Sequence, residues 1–401
     1  MCGINGQIRK TRKISRLDFL QLRDTLTHRG PDASGELFLH NDTVALGHRR
    51  LSIIDLSDKG KQPMPNENRN MWIIFNGEIY NYKRLRNQLL KRGHQFTSAT
   101  DTEVILHGYE EWGVDVLHYL HGMFAFAIWD DHKKQLFIAR DRFGIKPLYY
   151  ALSDDQFDFA SELKAIVSNG NIKADLNPEA MHAFFTLRAI PSPMTIYEQV
   201  FKLKPAHYLI YNYSNHQVQT APYWHLAAAN KQVTEQDILH HTENLLQESV
   251  ASHLVSDVPV GLFLSGGLDS SLIAAIAKQK NPDLHSYTMG FEGWSKNEAP
   301  YARKVADYLG ITHHEQLIHD YSRTEAFVNQ LAWHYDEPLG GTSLIPTFFI
   351  NQAASSFGKV MLGGDGGDEI FAGYQWYHDI LHIVNNKLLP VNKRKHLLNW
   401  Y

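Results

Sequence analysis

The sequence predicts two domains: an α+β domain rich in strands, followed by an α/β domain built on a parallel sheet. Three observations lead there. The first two hundred residues are short apolar runs broken by turns; the stretch 225–237 is poor in large apolar residues; and beyond it a buried strand, a glycine-rich turn and a helix follow directly on one another. Length agrees, because 401 residues correspond to roughly two to three domains of about 150 residues each.

In the first domain, MWIIFNGEIYNY (71–82) is an apolar run that reaches Asn76-Gly77, and GMFAFAIWDDHKKQLFIARDR (122–142) reads as strand, polar turn, strand. Between them, YKRLRNQLLKRGH places Leu85, Leu89 and Leu90 on one helical face and stops at Gly93, and DTEVILHGYEEWG (101–113) repeats that logic. We therefore expect domain one over 1–224, a linker over 225–237 and domain two over 238–401, opening with a helix from about Gln236 to Ser252. VPVGLFLSGGLDSSLIAAIAKQK (258–280) then gives strand, turn and helix, with further strands at HSYTMGF and GKVMLGG. Strands alternating with helices imply parallel pairing.

Composition excludes several classes. A formal charge of -4 and the lack of a long basic run give no footprint for nucleic acid. No run approaches the ~20 apolar residues of a membrane span, and no basic n-region with an apolar h-region opens the chain. A single cysteine, Cys2, rules out an internal disulfide framework and fits a reducing, cytoplasmic setting. The histidine pairs His240-His241 and His313-His314 lack the spacing of a zinc motif.

Two stretches carry phosphate chemistry. FLSGGLDSS (263–271) ends a strand in small residues and feeds a helix, so backbone N–H groups and a positive dipole end face an anion, with Ser265, Ser270 and Ser271 as further donors. Asp269 inside this loop would repel phosphate, which argues for a bridging Mg²⁺. MLGGDGGDEIFAGY (361–374) is again strand then glycine-rich turn, now with Asp365, Asp368 and Glu369. Parallel strands deliver such turns to one edge, so the two loops are expected to share a crevice.

These residues resemble a known family. SGGLDSS is similar to the pyrophosphate loop of ATP pyrophosphatase-type synthetases, and GGDGGDEIFAGY to the acidic loop of glutamine-hydrolysing asparagine synthetases. MCGI, HRGPDASG (28–35), GHRRLSIIDL (47–56), FNGEIYN (75–81), ATDTEV (99–104) and ARDRFGIKPLYY (139–150) resemble, in order, the class II glutamine amidotransferase half of that family. The resemblance runs from Cys2 to about Tyr374. It implies a four-layer αββα N-terminal-nucleophile glutaminase fold, then a parallel-sheet α/β ATP pyrophosphatase domain that is C-terminally incomplete.

Cys2 becomes the first residue once Met1 is removed, so its own α-amine, with a reference pKa of about 7.7–8.0, lies beside its thiol as general base. The resemblance assigns the oxyanion donors to the Asn76 side chain and the Gly77 N–H. It assigns the glutamine carboxylate to Arg50 on the stretch Leu51, Ser52, Ile53 and Ile54, and the α-ammonium to Glu78 and Asp101. Position by position it places Leu264 and Met289 in the adenine pocket, with Ser265, Gly266, Gly267, Asp269, Ser270 and Ser271 on the phosphates. Gly363 and Gly364 fall beside the nucleotide, and Asp269 with Asp368 on Mg²⁺ and pyrophosphate. Asp365 stands where many members of that family carry Glu to assist attack by ammonia.

The implied reaction uses glutamine, aspartate and ATP with Mg²⁺: ammonia released at Cys2 passes through a shielded tunnel to an acyl-adenylate. No nucleic acid or membrane partner is expected, and a homodimer is allowed. Two alternatives stay open, a different carboxylate acceptor such as one in a surface-polysaccharide or peptide pathway, and a fragment active only as glutaminase. YDEP (335–338) offers Asp336 as a substrate or cation ligand. Lys387, Lys393 and Lys395 are the lysines available near the end of the chain for the pyrophosphate.

Overall fold

In the computed structural model, described for residues 1–227, 233–291, 297–318, 324–341, 343–385, 390 and 393, the chain forms two compact units. The first takes in 1–240, 255–258 and the described residues of 320–349; the second takes in the described residues of 241–254, 259–319 and 350–401. The stretch 228–232 of the expected linker, and Lys387 and Lys395, lie outside the described residues.

In the first unit the strands are β1 (Gly3–Arg9), β2 (Ala33–Leu39), β3 (Val44–Arg50), β4 (Met64–Pro65), β5 (Met71–Ile79), β6 (Gly122–Asp130), β7 (Gln135–Arg140), β8 (Tyr149–Leu152), β9 (Gln156–Ala160), β10 (Val200–Lys202), β11 (His207–Asn212) and β12 (Gln217–Pro222). They form two six-stranded sheets, ordered β10-β8-β9-β1-β3-β2 and β12-β11-β7-β6-β5-β4, and every pairing in them is antiparallel. Its helices are α1 (Arg16–Asp24), α2 (Tyr82–Lys91), α3 (Asp101–Trp112), α4 (Val116–Tyr119), α5 (Lys164–Val167) and α6 (Pro178–Leu187).

Side-chain parity sorts these strands into layers, because successive residues face opposite sides of a sheet. Ile4, Ile8, Val44 and Leu46 of one sheet meet Ile74, Ala125, Ala127 and Trp129 of the other in the central core. Ile73, Phe75, Phe124 and Phe126 point the other way, onto Leu85, Leu89, Val104 and Leu106 of α2 and α3. On the far side Ala45 packs on Phe19 of α1, and Ala160 belongs with Ala165 and Ile166 of α5. Four layers, αββα, result. The helices start where the sequence satisfies free N–H groups: the Ser15 and Thr100 hydroxyls accept from Asp18 and Glu103, and Asn177 does the same before Pro178.

The chain then enters α7 (Glu235–His253), which reaches the second unit. That unit holds the parallel sheet β15-β14-β13-β16, made of β13 (Val260–Phe263), β14 (His285–Phe291), β15 (Thr312–Ile318) and β16 (Val360–Leu362). Between them run α8 (Leu268–Lys280) and α9 (Ala299–Leu309), while α12 (Gly367–Phe371) and α13 (Gln375–Asn385) follow β16. Leu262, Ala274, Ala277, Ala302 and Ala306 make its core. Two further helices of the same sequence stretch, α10 (Thr324–Tyr335) and the start of α11 (Leu344–Ala354), are grouped with the first unit instead.

Candidate active sites

The first site grows out of strand register. Gly3 pairs with Arg49, so Cys2, just ahead of β1, falls beside Arg50 and Leu51. The Leu51 N–H reaches the Cys2 Sγ at 3.4 Å, and the thiol lies 3.7 Å from the Leu51 carbonyl oxygen, to which it can donate. By the parity that places Ile4, Leu46 and Ile74 in the inter-sheet core, Cys2, His48, Arg50, Asn76 and Glu78 all belong to that same inter-sheet layer. Five polar side chains therefore share one face at the end of an apolar core.

Asn76 is fully buried, and among the described residues neither its Nδ2 nor its Oδ1 has a hydrogen-bond partner. A buried amide without partners costs about 1–3 kcal/mol, so the fold carries a donor that it does not use itself. Next to it, a Cβ on Gly77 would lie 2.2 Å from the Met123 carbonyl oxygen, so no larger residue fits at that step of β5.

Arg50 is buried and its guanidinium is engaged with backbone: Nη1 donates to Ser57 O at 2.8 Å, and Nη2 to Asp55 O at 2.5 Å and Ile54 O at 3.3 Å. It thus shapes the loop from Leu51 to Ser57. Ser52 N donates to the Asp32 carboxylate at 2.7 Å and Asp55 N to the Asp257 carboxylate at 2.7 Å. Leu51, Ser52, Ile53 and Ile54 line this loop half-buried.

Asp101 opens α3, where the Thr100 side chain, and not Asp101, is the cap. Its Oδ2 accepts from Ile79 N at 2.9 Å, which brings α3 to the end of β5 beyond Glu78. Burial raises the Asp101 carboxyl to about 7, the Ile79 N–H opposing and Glu78 adding to the rise. Burial likewise raises Glu78, against the attraction of Lys146 and of the chain's terminal amine. Burial also raises the Cys2 thiol, with the terminal amine opposing; the Met1 amine itself is lowered to about 5, chiefly by burial.

Three further residues belong here, and sequence reasoning passed over them although each lies in a quoted stretch. His48 Nε2 sits 3.1 Å from the Phe75 carbonyl oxygen; burial lowers its pKa to about 3, so the neutral ring donates and ties the two sheets together beside Asn76. Lys146 is buried, which lowers its pKa, with Glu78 opposing. Arg29 Nε donates to the Cys2 carbonyl at 2.9 Å.

The second site lies wholly in the second unit, where β13 and β16 are neighbours. A Cβ on Gly364 would stand 3.2 Å from Ser270 N, and one on Gly367 would stand 2.5 Å from Asp269 Oδ2. The loop after β13 and the acidic loop after β16 are therefore in contact. Gly266 has φ +79° and its Cβ would strike Tyr301, so glycine is required there. Ser265 Oγ and Ser270 Oγ are 2.9 Å apart, and Gly267 N donates to Ser265 Oγ at 3.1 Å, which folds the loop back on itself. Gly267 caps α8 without a side-chain hydrogen bond, leaving the first N–H groups of this 13-residue helix open to an anion. Ser271 Oγ is buried there without a partner.

Asp365 is exposed on the acidic loop, and a Cβ on Gly363 would lie 3.0 Å from its Oδ2; Asp368 is half-buried, with Gly373 against its carboxylate. Met289 is half-buried on β14. Leu264 is placed differently from the rest: its side chain is in the core cluster, its N–H donates to Tyr287 O at 3.0 Å and its carbonyl accepts from the Thr288 hydroxyl. Asp336 is elsewhere, in the first unit, bound to Lys164.

Residues 1–224 match a glutamine amidotransferase domain model and residues 241–401 an asparagine synthase model. The chain thus joins a glutamine amidotransferase domain to an asparagine synthase domain. It is 38% identical to the putative asparagine synthetase [glutamine-hydrolyzing] 2 of Methanocaldococcus jannaschii, over 98% of this chain and 81% of that protein. It is 36% identical to asparagine synthetases [glutamine-hydrolyzing] 1 and 3 of Bacillus subtilis, over 100% and 94% of this chain. The chain belongs to the glutamine-hydrolysing asparagine synthetase family. It spans 63% and 64% of the two Bacillus relatives.

Proposed function

We propose that the protein makes asparagine from aspartate, using glutamine as nitrogen donor and ATP as activator. The observation that carries this reading is the buried, unpartnered Asn76 amide in the same inter-sheet layer as the Cys2 thiol. With Met1 removed, the Cys2 amine takes the thiol proton and the sulfur attacks the side-chain amide carbon of glutamine. The oxyanion that forms is met by Asn76 Nδ2 and Gly77 N–H. The carbon–nitrogen bond breaks, ammonia leaves with the proton, and water hydrolyses the thioester to glutamate.

Glu78 and Asp101 hold the glutamine α-ammonium. Arg50, with three donors committed to loop carbonyls, keeps its remaining N–H groups for the α-carboxylate and holds the loop in place.

In the second unit the aspartate β-carboxylate attacks the α-phosphorus of ATP and pyrophosphate leaves; ammonia then attacks the acyl carbon and AMP departs. The open N-terminus of α8 and the Ser265, Ser270 and Ser271 hydroxyls take the phosphate oxygens. The carboxylates of Asp269 and Asp368 suit Mg²⁺, which supplies charge neutralisation to the phosphates when bound. Asp365, exposed on the acidic loop, takes the role of orienting the incoming ammonia in this reading. ATP, glutamine and aspartate as substrates make the cytoplasm its place of action. Among the described residues no helix is long and apolar enough to cross a membrane.

The test is to supply glutamine, aspartate and ATP–Mg²⁺ and to follow glutamate, pyrophosphate and asparagine separately. Equal amounts of all three support the reading. Glutamate alone, or pyrophosphate that depends on an acid other than aspartate, overturns it. Cys2→Ala should abolish glutamate release and keep ammonia-dependent synthesis.

A further inference from the structure

On the outer helical layer of the first unit, three side chains from three chain segments bring ligand-type atoms close together, with a fourth, Glu110, beside two of them. Glu67 follows β4, His94 lies in the turn after α2, and His107 and Glu110 stand three residues apart on α3. One ligand atom each from Glu67, His94 and His107 lie within 4.8 Å of one another. His107 Nδ1 is 3.8 Å from Glu67 Oε2 and 2.6 Å from Glu110 Oε2, and that Glu110 oxygen is 3.8 Å from His94 Nδ1. Tetrahedral zinc with bonds of about 2.0–2.2 Å spaces its ligand atoms roughly 3.3–3.6 Å apart. Two of these spacings nearly match, and the direct His107–Glu110 contact has to open by under ~1 Å.

What surrounds the cluster fits the same chemistry. The far nitrogen of each ring faces a further carboxylate: His107 Nε2 is 3.7 Å from Glu103 Oε1, and His94 Nε2 is 3.3 Å from Glu111 Oε2. Metal-bound histidines are oriented by such outer carboxylates. The other oxygen of each ligand carboxylate is already held, Glu110 Oε1 by Asn66 Nδ2 at 2.6 Å and Glu67 Oε1 by Gln95 N at 3.2 Å. His107 is 1% exposed, so the ring is fixed by packing before any ion arrives.

We propose that His94, His107, Glu67 and Glu110 form a structural site for a divalent ion of the zinc class. Two imidazoles and two carboxylates favour zinc over magnesium or calcium, which take oxygen ligands throughout. The ion ties the loops at 66–67 and 93–95 to α3, the helix whose first residue is Asp101 of the glutamine site. The ligands lie 27, 13 and 3 positions apart in sequence, and the two long gaps fit no short zinc motif.

The test uses the full chain stripped with a chelator, in the absence of nucleotide and Mg²⁺. Titration with Zn²⁺ should show one tight equivalent that raises the thermal midpoint, and Co²⁺ at the same site should give the visible absorption of a tetrahedral ion. Glu67→Gln, at an exposed position, and His94→Gln, at a half-buried one, should weaken binding by at least ~10-fold and remove the thermal shift, each variant being compared with its own metal-free melting. No uptake of Zn²⁺, or uptake and thermal shift equal in the parent and both variants, overturns the proposal and leaves the cluster as an ion-pair network around a protonated His107.

Discussion

Lys164 Nζ stands 2.9 Å from Asp336 Oδ1, and Lys164 N donates to Asp336 Oδ2 at 3.2 Å, so one residue holds both oxygens of a carboxylate 172 positions further along the chain. The same ammonium lies 2.6 Å from Glu162 Oε2 and 4.6 Å from the centre of the Trp333 ring. Glu162 Oε1 accepts from Arg29 at 2.8 Å, and Arg29 holds the Cys2 carbonyl. The YDEP turn is thereby joined, through buried charges, to Cys2. Expected from sequence as a substrate or cation ligand, Asp336 has Lys164 as its cation.

Lys164→Met should therefore be costly. It strips the cation from Asp336 and leaves Glu162 with Arg29 alone among its cations at hydrogen-bond distance from Oε1, and breaking one partner of a buried pair typically costs about 3–5 kcal/mol. Urea unfolding of the full chain measures it, and a loss under ~1 kcal/mol would show that the pair is worth no more than a surface one.

Asn76→Ala should separate activity from stability. The amide makes no hydrogen bond in the fold, so its loss removes no bond from the folded state, while an oxyanion donor is worth about 10²–10³ in rate. Glutaminase kcat falls by that factor with the melting temperature nearly unchanged; ammonia-dependent synthesis is unaffected. A parallel fall in melting temperature would count against the assignment.

Asp101 sets a pH dependence whose sign follows from its raised pKa of about 7 against an ordinary 3.8. The folded state favours the protonated form, so the stabilisation is complete below about pH 4 and is lost as pH rises through 7, at up to about 1.4 kcal/mol per pH unit in between. Asp101→Asn should flatten this slope in unfolding measured from pH 4 to 8, and be more stable than the parent at pH 8. Binding of an α-ammonium needs the charged form, so kcat/KM for glutamine rises through pH 7 in the parent, and that limb disappears in the variant.

Arg50→Ala should raise the KM for glutamine and leave the KM for ammonia as it was. It removes the proposed partner of the glutamine carboxylate together with the three bonds that hold the Ile54, Asp55 and Ser57 carbonyls. Proteolytic nicking confined to the 51–57 loop would report the second role.

Asp269→Asn should abolish pyrophosphate formation and spare glutamate release, because its carboxylate lies against Gly367 of the acidic loop in the second unit. An unchanged dependence of rate on Mg²⁺ would exclude it as a metal ligand.

Much of the fold was legible because strands and helices answer to local periodicity. HSYTMGF became β14 over its full length, and a helix expected from about Gln236 to Ser252 spans Glu235–His253. The edge on which SGGLDSS and the acidic loop meet followed from parallel pairing alone. Leu264 was harder, since an apolar residue at a strand end can face a ligand or the core with the same sequence, and here packing took it inward.

By itself, the sequence determined the family and the strands and helices with a clear local pattern, since turn glycines, caps and apolar spacing act over a few residues. Only the tertiary structure decided what those residues touch. That Asn76 has no partner, that Arg50 spends three donors on backbone, that Asp101 is buried enough to titrate near 7 and that Asp336 is held by Lys164 all depend on desolvation and on contacts between segments up to 172 positions apart. Local patterning carries no record of either.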